Sequence, residues 1–97
     1  MNQRIIIMAQ RFPAGRLCVT CGINELIANG LNVFPFFLRH MNADWGDLCR
    51  DDIALNHQAL EEGDRLFSAY QVSPDLKIWI ITEADRSATT ILLPPKY

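Results

Sequence analysis

Cysteine is scarce in this chain: three in 97 residues, at Cys18, Cys21 and Cys49. So small and odd a number excludes the disulfide framework of small secreted domains. Basic residues are also in short supply. Nine Lys and Arg face eleven Asp and Glu, for a net charge of -2 and a sequence pI near 5.5. That leaves no basic footprint for neutralising phosphates, so a histone-like DNA binder is excluded. Five Gly and five Pro are too few for a collagen-like or low-complexity chain. No apolar run is long enough to span a bilayer, which takes about 20 residues. The longest uncharged stretch, between Glu25 and Arg39, is broken by Asn29, Gly30, Asn32 and Pro35. The run Ile5-Ile6-Ile7-Met8-Ala9 is shorter than a signal peptide's apolar region with its cleavage site. A cytoplasmic protein with reduced thiols and no membrane contact is the expectation. Repeats, Gly-rich phosphate loops and a nucleophile elbow are lacking too.

What is present suits one globular domain over residues 1–97: 49% hydrophobic and 21% charged residues. Residues 16–20, after Pro13-Ala14-Gly15, are β-prone, and residues 4–8 read as a further strand or an arm. Residues 22–29 read as a helix stopped by Asn29-Gly30. Asn32 is an N-cap for a second helix, with Pro35 in its first turn and Phe36, Phe37, Leu38 and Met41 for burial. Residues 42–47 form a turn, and a third helix runs over 50–62, ended by Gly63. The period then changes to two, giving strands over 65–72, 76–82 and 88–93 with short links, an antiparallel meander. The expected fold class is therefore α+β: about three helices on one face of a small antiparallel sheet. The strand over 76–82 is apolar on both faces and is expected to be central and covered on both sides.

Charge is unevenly spread. Residues 1–43 hold four Arg against Glu25. Residues 44–64 hold Asp44, Asp47, Asp51, Asp52, Glu61, Glu62 and Asp64 against Arg50 alone. A mild net charge thus hides a strongly negative stretch. Asp51 and Asp52 suit a helix N-terminus, whereas Glu61 and Glu62 sit at the end that prefers cations. Asp51 and Glu62 are separated by about 20° around a helix and about 16 Å along it. The seven acids together form a candidate partner-binding surface for a positively charged groove, set against the plainer reading of a solvated helix face.

Other constellations are weaker. Cys18 and Cys21 have metal or redox spacing, but residues three apart in a strand point to opposite faces. A zinc site would need Cys49, His40 or His57 as well, without a second close pair. Buried, inert thiols are the expectation, with neither metal nor cofactor. A hydrolase assembled from Cys49, one of the histidines and an Asp rests on residue types found in almost any chain of this length. His57 shares a helical face with Ile53 and Leu60 and reads as a core-edge histidine. Glu83, Asp85 and Arg86 lie between the last two strands, where a hydrogen-bonded turn competes with a catalytic loop.

Asp44-Trp45-Gly46-Asp47, Asn56, residues 65–70 and the long segment 77–94 carry a resemblance. Over residues 16–97 the chain resembles the small "plasmid-related" proteins of proteobacterial mobile elements. That family commonly has Thr-Pro-Gly where Thr20-Cys21-Gly22 stands here, which further demotes the cysteine pair. It also continues Leu-Leu-Pro with acidic or polar residues before Tyr, where this chain has Pro95 and Lys96. The family supplies no catalytic residues. Mobile-element proteins of this size include anti-CRISPR proteins, and one type I-F anti-CRISPR of this length is understood as a DNA mimic. The resemblance therefore implies a non-enzymatic inhibitor without cofactor. It would bind a host CRISPR effector complex through the Lys/Arg that hold target DNA, without binding nucleic acid itself. The alternatives are a small enzyme acting near Glu83, Asp85 and Arg86, or an interaction module with another cytoplasmic partner.

Overall fold

Gly63, in the left-handed region at φ 76°, stops a 13-residue helix and turns the chain into three consecutive strands. In the computed structural model, which describes residues 11–95, the elements follow in the order β1 (Arg16–Val19), α1 (Cys21–Ala28), α2 (Phe34–Met41), α3 (Arg50–Glu62), β2 (Leu66–Ser73), β3 (Leu76–Thr82) and β4 (Ala88–Leu92). This is the expected α+β class: three helices packed against a small four-stranded sheet. The segment 4–8 lies outside the described residues. The N-cap of α2 is Val33 rather than the expected Asn32, which stands one residue before it and accepts the Phe34 N–H on its Oδ1 at 3.1 Å.

Strand order is β1-β4-β3-β2, with β2, β3 and β4 forming the antiparallel meander. The sheet as a whole is mixed, because β1 joins β4 in parallel. Gly15 makes that junction, at φ 68°. A Cβ there would lie 2.4 Å from the backbone of Arg86 and Ser87, so only glycine lets the chain enter beside β4.

Alternation decides what is buried. Leu66, Ser68 and Tyr70 of β2, Ile78, Ile80 and Thr82 of β3, and Thr89 and Ile91 of β4 all point to the helix-covered face. Ile23 of α1 joins Tyr70, Ile78, Ile80 and Ile91 in one cluster, and Met41, Phe12, Trp45 and Leu66 form a second. Each such large side chain contributes about 1.5–3 kcal/mol by leaving water.

The other face departs from expectation. β3 is central, but among the described residues helices cover only one of its sides: Trp79 and Ile81 on the other are half-buried, as are Phe67 of β2 and Leu92 of β4, and none belongs to either cluster. All three helices lie on the opposite side, so this face shields itself by cross-strand contact. The Phe67 and Trp79 rings meet edge to face at 5.0 Å.

Neighbouring isoleucines test this one-sided burial. Ile80→Ala should cost about 2–5 kcal/mol in urea unfolding and Ile81→Ala about 1 kcal/mol or less. Equal losses would mean that both faces are covered.

Candidate functional site

The acidic stretch divides between two tasks. Asp44 and Asp47 flank a loop that closes the outer edge of β2. Gly46, at φ 75°, pairs with Ala69, and a Cβ there would lie 2.1 Å from the Ala69 carbonyl oxygen. The Ala69 N–H donates to the Trp45 carbonyl at 3.2 Å, and the Asp47 N–H donates to the Ala69 carbonyl at 2.7 Å. Asp47 Oδ2 accepts the Gln71 N–H at 2.7 Å. Asn56, from α3, serves Phe67 in the same way: its Oδ1 accepts the Phe67 N–H at 3.1 Å, and its Nδ2 donates to the Phe67 carbonyl. Three successive outward-facing residues of β2 are thereby satisfied without another strand.

Asp44 is held by Arg39, whose Nε donates to Oδ2 at 2.8 Å, while Oδ1 accepts the Gly46 N–H at 3.2 Å. The Arg39 hydrogen bond keeps the Asp44 carboxyl below its ordinary range, and Asp44 in turn raises the guanidinium. The same guanidinium lies 4.8 Å from the centre of the Tyr70 ring. Tyr70 donates its hydroxyl to the Asp44 carbonyl at 2.6 Å, and burial pushes its phenol up. Asp44 and Asp47 are thus exposed at the surface but committed to the loop.

The remaining five candidates behave differently. Asp51, Asp52, Glu61, Glu62 and Asp64 are all exposed, and none forms an ion pair among the described residues. α3 turns Ile53, Asn56 and Leu60 inward. At 100° per residue, Asp51, Leu55, Gln58 and Glu62 then fall within about 60° of each other on the outer side. Leu55, 61% exposed, sits in the middle of this stripe. Gln58 Nε2 donates to Glu62 Oε2 at 3.2 Å. The result is a negatively charged ridge about 16 Å long, anchored through Asn56 to β2.

Behind this surface lies a polar chain that sequence reasoning missed. His40 Nδ1 is 2.6 Å from Ser68 Oγ, and Nε2 is 2.9 Å from Thr82 Oγ1. Thr82 and Thr89 hydroxyls are 2.7 Å apart, and Thr89 donates to the Ala14 carbonyl at 2.8 Å. One proton per hydroxyl fixes most of the directions: Thr82 donates to Thr89, and His40 Nε2–H donates to Thr82. Burial between Phe12 and Trp45 pushes the imidazole pKa down to about 3, so the ring is neutral near pH 7 and Ser68 donates to Nδ1. Ser68 beside His40 has the composition of a nucleophile and base, yet both are wholly buried. The legible signal was polar residues at inward positions of otherwise apolar strands.

The rival site is engaged in its own turn. Asp85 Oδ1 accepts the Ser87 N–H at 2.9 Å, and hydrogen bonding by Ser87 holds its carboxyl low. Arg86, at φ 61°, donates to the carbonyls of Asp64, Glu83 and Ala84. Glu83 lies 3.7 Å from Arg65. His57 is exposed and accepts from Trp45 Nε1 at 3.4 Å. The thiols depart from expectation: Cys18 is half-buried, while Cys21 and Cys49 are exposed, because they occupy the first position of α1 and the N-cap of α3 rather than strand interiors. No group of three metal-ligating side chains converges among the described residues. Comparisons of the chain with protein-family models, curated proteins and solved structures give no match.

Two outcomes check these assignments. His40 binds a proton in the unfolded chain from about pH 6.5 downward but in the folded chain only near pH 3. Its contribution to stability is thus complete above pH 6.5 and lost as pH falls. Urea unfolding should show a loss of about 1.4 kcal/mol per pH unit between pH 6 and 4.5. His40→Gln should flatten that slope. Asn56→Asp keeps the acceptor for Phe67 but sets an anionic oxygen against its carbonyl, costing about 1–3 kcal/mol at pH 7. Relative to wild type at each pH, the deficit should shrink in acid, where a protonated carboxyl can donate.

Proposed function

We propose that this chain is a non-enzymatic inhibitor that works by binding, with the outer face of α3 occupying a Lys/Arg-lined surface that normally holds DNA phosphates. The observation that carries this reading is the ridge of Asp51 and Glu62 around the exposed Leu55, with Asp52 and Glu61 on its two flanks and Asp64 just past the helix end, all five exposed and without ion pairs among the described residues. A protein partner would cover the ridge and gain apolar contact amid the charge pairs. Asn56 fixes α3 to β2, so the backbone that carries the carboxylates is already ordered before binding. Asp44 and Asp47 border the ridge, but their bonds to Arg39 and to the β2 edge make them supports rather than its main charges. The partner class is a bacterial nucleic-acid-handling complex, and the resemblance to mobile-element proteins favours a CRISPR surveillance complex.

Pull-down of the untagged chain with such a complex should weaken as salt rises from 50 to 500 mM, since exposed charge pairs beyond about 8–10 Å are screened. Asp51→Lys combined with Glu62→Lys should reduce affinity by roughly tenfold or more without lowering the unfolding midpoint. Duplex target DNA should compete. Unchanged inhibition by the double variant would remove the reading, and inhibition far below one chain per complex would point to an enzyme.

A further inference from the structure

We draw no further inference here: the strongest candidate, the half-buried apolar patch of Phe67, Trp79, Ile81 and Leu92 on the side of the sheet away from the helices, carries nothing because nothing in the structure shows what covers it.

Discussion

One imidazole ties the layers together. His40 projects from α2 to Ser68 of β2 and Thr82 of β3, and Thr82 passes the connection to Thr89 of β4 and the Ala14 carbonyl. Helix position, strand register and the entry into β1 are thereby written into one line of hydrogen bonds. Its energetic force lies in what happens if a member is displaced. A buried hydroxyl or ring nitrogen left without a partner costs about 1–3 kcal/mol, so a slipped register leaves several such groups exposed to no water and no protein. Among the described residues every buried side-chain polar atom has a partner. Apolar burial makes the domain compact, and this line makes one arrangement of it preferred.

The second organising constraint is the outer edge of β2. A strand edge needs hydrogen bonds, and here they come from one asparagine on α3 and from the Asp44–Asp47 loop. Closing the edge also anchors α3 through polar bonds to backbone, beside a narrow apolar stripe of Ile53, Ala59 and Leu60 that packs on the Trp45 and Leu66 cluster. The rest of its circumference is left for charge.

Much of this fold could be read from the chain because its punctuation is strong. Gly63 and Pro74-Asp75 mark ends that the backbone observes, and strand period two separates Ile78 and Ile80 from Trp79 and Ile81. What alternation cannot tell is whether a second apolar face is covered, since Trp79 and Ile81 look the same in either case. The parallel pairing of β1 was hidden for a related reason: four residues carry no record of direction, and Gly15 reveals it only through the backbone it touches. Counting charges located the acidic stretch but could not separate carboxylates that accept backbone N–H groups, as Asp47 does, from those facing water, as Glu61 does. His40 was read as one candidate among generic catalytic residues, because its partners lie 28 and 42 residues away.

The asymmetry of the two sheet edges has a further result. β2 is sealed along its outer side, while β1, with Leu17 and Val19 exposed, is the edge left unpaired among the described residues. Fibril growth needs a template that renews itself: each added strand must offer a fresh edge to the next. A molecule joining at β1 would turn its own sealed side outward, or consume the only open edge it has. Each copy therefore acts as a chain terminator for edge-to-edge polymerisation, so that strand pairing through β1 closes at two molecules instead of growing.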